Sequence, residues 1–129
     1  MIKRVFVIVK KSSDSSYLLL IADKKHNIMG LSGGRYDFED NNPIITAKRE
    51  LFEETSLDIA NDRFQLLGSI SKKLFYLLEI SDIEAESIKL SSEHLDFIFQ
   101  KNKEIIPKLI KDHSSGTCAK AFIQFANLI

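Results

Sequence analysis

The stretch from Gly33 to Leu57, GGRYDFEDNNPIITAKRELFEETSL, constrains this chain more than any other. It opens on paired glycines, passes an acidic turn and enters a segment carrying Arg49-Glu50-Leu51-Phe52-Glu53-Glu54. Asn42 is a good helix N-cap, and Pro43 suits the first helical position, where a missing N–H has no partner to lose. A helix is therefore predicted to start at Pro43. At helical spacing Ile44, Ala47 and Leu51 fall on one side with Ile45 and Phe52 beside them, an apolar stripe wide enough to dock on a sheet. Glu50, Glu53 and Glu54 are expected on the other side. Like charges at i, i+3 and i+4 cost roughly 0.2–0.5 kcal/mol per pair, a cost that a hard divalent cation would offset.

Every candidate ligand in this helix is an oxygen, with no Cys or His at ligand spacing nearby, so Mg2+ or Mn2+ suits it better than zinc. Gly33 and Gly34 stand where the backbone must turn sharply or approach a ligand closely. Three glutamates alone read as a solvated helix face. Joined to the glycine pair and to Arg49, they read as a metal site.

On these residues the segment resembles the Nudix box, G-x5-E-x7-R-E-U-x-E-E-x-G-U, where U is a bulky aliphatic residue. Arg49, Glu50, Leu51, Glu53, Glu54 and Leu57 match its second half position for position. With Gly34 as the opening glycine, Asp40 takes the acidic slot, and eight residues instead of seven separate it from Arg49, the extra one in the Asn41-Asn42 turn. Anchoring on Gly33 instead would put Glu39 in that slot with nine residues intervening. Ser56 stands where the family has its late glycine, and Ser32 where a proline often precedes the glycine pair.

The resemblance implies an α/β/α sandwich, a mixed β-sheet between helices, over one domain of residues 1–129. It implies Mg2+-dependent cleavage of a nucleoside diphosphate linked to another group, with Glu53 and Glu54 chiefly as metal ligands and Glu50 either ligand or base. Arg49 would orient a glutamate of the cluster through an ion pair. Asp40 and the backbone at Gly33 and Gly34 could complete the site. Glu93, followed by His94, resembles the loop residues that face the metal in many members, and is a further ligand or base candidate.

Length and composition agree with one domain, since 129 residues suffice to bury a core unaided. Lys plus Arg equals Asp plus Glu at 18 each, so no global field steers the chain to a nucleic acid polymer or an anionic membrane. A small-molecule nucleotide is the expected partner, with a monomer or homodimer as the assembly. Cys118 is the single cysteine, which excludes an internal disulfide, and it reads as a small core residue. The apolar run Val5 to Val9 is too brief for a signal peptide or membrane span, which points to the cytosol.

Arg4 to Lys10 and Tyr17 to Ile21 read as a hairpin around Ser12 to Ser16, and Phe64 to Ile70 with Lys73 to Ile80 as a second strand pair. Asp23 to Asn27 reads as a turn with His26 on the surface. Phe75 and Tyr76 are assigned to the sheet's packing rather than to base stacking. Residues 81–92 read as strand end and loop, Leu95 to Phe99 as a last strand. Lys101 to Lys111 reads as a helix broken or started near Pro107. Thr117 to Leu128 reads as a closing helix with Cys118, Phe122, Phe125 and Ala126 inward.

Rival motifs fail. There is no G-x-G-x-x-G or phosphate-binding Gly-Lys-Ser/Thr, Asn42 stands where a calcium loop needs glycine, and three scattered histidines give no nucleophile triad. Within the family, neither the proline of ADP-sugar enzymes nor the tyrosine of diadenosine polyphosphate enzymes fits Ser71-Lys72-Lys73-Leu74, with Tyr76 slightly late. A nucleoside triphosphate is the default substrate; nucleotide sugars and dinucleoside polyphosphates stay open. So do a non-catalytic nucleotide sensor and an unrelated α/β interaction domain.

Overall fold

The computed structural model describes residues 1–23, 28–94, 96–111 and 116–129. Its centre is β1 (Arg4–Lys11), in which Val5 to Val9 are all buried. Apolar residues on both faces of one strand call for a covering layer on each side of the sheet. β1 pairs in parallel with β6 (Lys73–Ile80) along its whole length, from Arg4 opposite Lys73 to Lys11 opposite Ile80. Its other edge is divided between β4 (Ser32–Arg35), opposite Arg4 to Val7, and β2 (Ser16–Asp23), opposite Lys10 and Lys11. β2 also carries β3 (Ile28–Gly30) and β7 (Asp96–Gln100), while β5 (Gln65–Ile70) pairs with β6. The result is a mixed seven-stranded sheet.

Alternation along β1 sends Val5, Val7 and Val9 to one face and Phe6 and Ile8 to the other. The first face packs on Ala47 and Leu51 of α1 (Pro43–Thr55) and Ala85 of α2 (Asp82–Glu86). The second packs on Ile106 of α3 (Ile106–Leu109) and on Cys118, Ala121 and Phe122 of α4 (Thr117–Gln124). The expected α/β/α sandwich is the architecture observed. Phe75 and Tyr76 are buried, as their place on the sheet requires, and Cys118 is a core residue.

Several expectations need correction. The glycine pair is part of β4, a strand with too few β-branched residues to announce itself. Residues 81–92 are not all loop: Ser81 caps α2, its side chain accepting from the Glu84 N–H while Glu84 accepts from the Ser81 N–H, a capping box present in the sequence. The closing helix ends at Gln124, with Phe125 as its buried cap. Around Pro107 there is a single turn beginning at Ile106. The expected turn at His26 lies outside the described residues, as does Leu95 at the head of the last strand.

Candidate active site

α1 begins where the sequence says it should. Asn42 is extended and its side chain accepts from the Ile44 N–H at 3.1 Å, with Pro43 in the first turn. The helix ends on Ser56 in the left-handed conformation, φ 65°, the place of the family's glycine. The Ser56 hydroxyl donates to Lys89 O at 3.1 Å, which helps hold a conformation that L residues otherwise avoid.

The buried side of α1 is Thr46, Ala47, Leu51, Glu54 and Thr55. Phe52 is 53% exposed, whereas Glu54 is only 7% exposed, so these two exchange the places expected for them. Residues 47, 51 and 54 follow the i, i+4, i+7 path, which carries a carboxylate into the stripe that holds Ala47 and Leu51. It is accommodated because β4 supplies donors: Ser32 Oγ donates to Glu54 Oε1 at 2.7 Å and the Gly33 N–H at 3.0 Å. Burial nevertheless dominates, and pushes the Glu54 carboxyl up to about 8.

Glu50, one turn earlier, packs its carboxyl group against Gly34, where a Cβ would overlap it. Burial first, then the charge of Glu53, raises its pKa, against the pull of Arg49. Glu53 is half-exposed and held by Arg49 Nη1 at 3.5 Å, while the same nitrogen lies 3.2 Å from Glu50 Oε1. The expected ion pair of Arg49 with the glutamates is thus present.

Asp40 lies on Arg49 rather than among the glutamates. Its Oδ2 accepts from Thr46 Oγ1 at 2.7 Å and Arg49 Nη2 at 3.2 Å, and Glu39 is exposed. Asn41, with φ 61°, absorbs the extra residue of the turn. Of the two residues considered for the acidic slot, Asp40 is thus the one that contacts Arg49. Glu93 is exposed, and its charge pushes Glu50 and Glu54 upward. His94 Nε2 stands 3.9 Å from Glu54 Oε2, and burial disfavours the charged form of both, lowering the imidazole's pKa and raising the carboxyl group's.

No protein-family model matches the sequence, and no curated protein matches it. Solved structures do. The dihydroneopterin triphosphate pyrophosphohydrolase of E. coli aligns over 100% of this chain and 99% of its own, with a TM-score of 0.69 and 15% identity. A C. elegans Ap4A hydrolase aligns over 100% of both chains with a TM-score of 0.66 and 19% identity. A MutT/nudix family protein from Enterococcus faecalis aligns over 77% of this chain with a TM-score of 0.63 and 17% identity, and this chain spans 43% of that protein.

The chain has the Nudix fold. Within it Glu50 and Glu54 meet the glycine pair, Arg49 ties Glu50 to Glu53, and Asp40 braces Arg49. Among the described residues no three Asp, Glu, His or Cys side chains already converge as a metal cage. The donor chemistry nonetheless fits a hard divalent ion. Glu50 and Glu54 are oxygen donors whose charge the protein leaves undercompensated, since burial raises both. Ser32, read in the sequence only as standing in a proline's place, is the hydroxyl on Glu54, and His94, read only as the residue after Glu93, is the neighbour of Glu54 from the far loop.

Proposed function

We propose that this chain is a divalent-metal-dependent hydrolase of the Nudix type, cleaving a pyrophosphate bond in a nucleoside diphosphate linked to another group. A nucleoside triphosphate is the first substrate to try. The reading is carried by one observation: a buried carboxyl group, Glu54, and a partly buried one, Glu50, sit one helical turn apart against the Gly33-Gly34 backbone. Nothing in packing alone favours placing them there.

Glu50 and Glu54 would hold Mg2+ or Mn2+, and Glu53 would join them on leaving Arg49. The chemistry such an ion supplies is neutralisation of phosphate charge and acidification of water. The chain's own part is positioning. Ser32 and the Gly33 N–H fix Glu54, Arg49 orients Glu50 and Glu53, and Asp40 with Thr46 fixes Arg49. Glu50 and Glu93 are the candidates to accept a proton from the attacking water. The E. coli pyrophosphohydrolase and the C. elegans Ap4A hydrolase support hydrolysis of a phosphoric anhydride as the class of reaction.

A nucleotide-binding module without turnover is the second reading, favoured by Glu53 being drawn off by Arg49 and by the lack of a preassembled cage among the described residues. The deciding experiment is phosphate and pyrophosphate release from nucleoside triphosphates, nucleotide sugars, dinucleotides and dinucleoside polyphosphates, with Mg2+, Mn2+ or chelator. Metal-dependent release from one class is the expected result. Silence across the panel, with nucleotide still raising Tm, would leave the binding module.

A further inference from the structure

The chain has four arginines. Arg49 and Arg63 each hold a carboxylate. Arg4 and Arg35 hold none among the described residues, and stand directly opposite each other on β1 and β4. On the other edge of β1, Arg4 is opposite Lys73, whose ammonium donates to the Thr117 hydroxyl at 3.0 Å. Like charges directly opposite in a sheet are destabilising. In a chain with as many acidic as basic residues, two guanidinium-bearing residues set opposite each other with no carboxylate among the described residues therefore point to an anion from outside.

Arg4 and Arg35 line a cleft of about 390 Å3 together with Ile2, Tyr36 and Phe38, among others. Its base is held by backbone bonds: the Tyr36 N–H donates to Lys3 O at 2.9 Å, and the Lys3 N–H to Lys72 O at 2.8 Å. The rings of Tyr36 and Phe38 lie 6.1 Å apart, and Phe38 is 76% exposed. A large apolar ring left in water beside two guanidinium groups without a carboxylate is a surface that suits one class of ligand. Arginine forks match phosphate oxygens, and an exposed aromatic ring accepts a base by stacking. Arg35 also follows Gly34 directly, so the cleft shares β4 with the carboxylate pair.

We propose that this cleft is a second subsite that holds a nucleoside phosphate, with the phosphate between Arg4 and Arg35 and the base against Phe38. The inference rests on the reading of the chain as a nucleotide-handling Nudix domain, and it assigns that nucleotide a place.

The test is calorimetric titration of the full chain with ADP and with inorganic pyrophosphate, in chelator so that no metal ion can bridge phosphate to Glu50 and Glu54. The double variant Arg4→Gln/Arg35→Gln should bind both ligands about tenfold or more weakly, the loss of charge-assisted hydrogen bonds. Phe38→Ala should weaken ADP about fivefold or more and leave pyrophosphate unchanged. Lys89→Gln, an exposed cation outside the cleft, should change neither. All the altered side chains are exposed, so the variants should stay folded, with Tm unchanged in Phe38→Ala and Lys89→Gln and unchanged or raised in the double variant, which removes a like-charge pair. The proposal is overturned if the unaltered chain does not bind ADP, if the double variant binds it undiminished, if Phe38→Ala leaves ADP affinity intact, or if Lys89→Gln weakens binding as much. Absence of metal-dependent turnover would instead overturn the hydrolase reading and leave this titration standing.

Discussion

The carboxyl group of Glu50 occupies the space that a side chain on residue 34 would need, so Gly34 and Glu50 are two halves of one fit. Gly33, its neighbour, faces the opposite way, and a Cβ there would meet Val5 O and the Phe6 backbone. The two glycines therefore predict different failures. In Gly34→Ala the obstructing group is the end of a flexible side chain, which can move. The expected result is a protein that folds with nearly unchanged Tm but has lost most of its metal-dependent turnover. In Gly33→Ala the obstruction is backbone inside a paired strand, and Tm itself should fall markedly. Thermal melts beside turnover assays separate the cases, and equal loss of Tm in both variants would contradict the fit.

Glu53 and Glu54 are adjacent in sequence and opposite in environment, at 54% and 10% side-chain exposure. Glu53→Gln removes a surface charge off the apolar stripe, so Tm should change little while turnover falls at least about a hundredfold, by analogy with the loss of one charge-stabilising group from an active site. Glu54→Gln keeps an oxygen for Ser32 and the Gly33 N–H but no longer buries an acid. Its Tm without metal should therefore rise. Mg2+ should then raise it less than it raises the unaltered protein, because the stabilisation by a bound ion follows its affinity. A Glu54→Gln protein that gains as much from Mg2+ as the unaltered chain would remove Glu54 from the metal site.

Much of this architecture is legible in the sequence because local signals agree with the fold. Asn42-Pro43 marks the start of α1, and the apolar run at Val5 to Val9 marks a strand covered on both sides. What is not legible depends on partners remote in sequence. Counting apolar residues along α1 chose Phe52 for the core, because nothing near Glu54 reveals that Ser32 and Gly33 will satisfy it from 22 and 21 residues away. The row Arg35, Arg4, Lys73 is likewise invisible until register aligns three strands. α2 is different: Ser81 and Glu84 carried its capping box in plain sight, and the polar composition around it obscured the signal.

The turn joining β5 to β6 offers a stability prediction. Ser71 and Lys72 both have positive φ, 49° and 67°, the signature of a two-residue hairpin turn that prefers Asn-Gly. Each non-glycine residue held there costs about 1 kcal/mol. Ser71→Asn/Lys72→Gly should raise Tm by about 2–8 °C for a domain of this size, read by calorimetry, with turnover unchanged. A lower Tm would mean that the Lys72 side chain contributes more than its backbone costs.

Acid should weaken the fold partly through Arg63. Its guanidinium takes both oxygens of Glu84, at 2.6 and 2.8 Å, and donates to Glu79 O at 2.9 Å, pinning α2 to the end of β6. The hydrogen bonds from Arg63, ahead of the other influences, lower the Glu84 pKa from 4.5 to about 2. A carboxyl group whose pKa is lower in the folded state than in the unfolded one binds fewer protons when folded. Its contribution is therefore fully present above pH 4.5 and is lost as the pH falls towards 2. Both side chains are partly exposed, so the contribution should stay within about 1 kcal/mol and shrink in high salt. Glu84→Gln should lower Tm at neutral pH and flatten the decline of Tm between pH 4.5 and 2, the window set by the two pKa values. If Tm of the variant fell across that window as steeply as that of the unaltered chain, the pair would not be what titrates there.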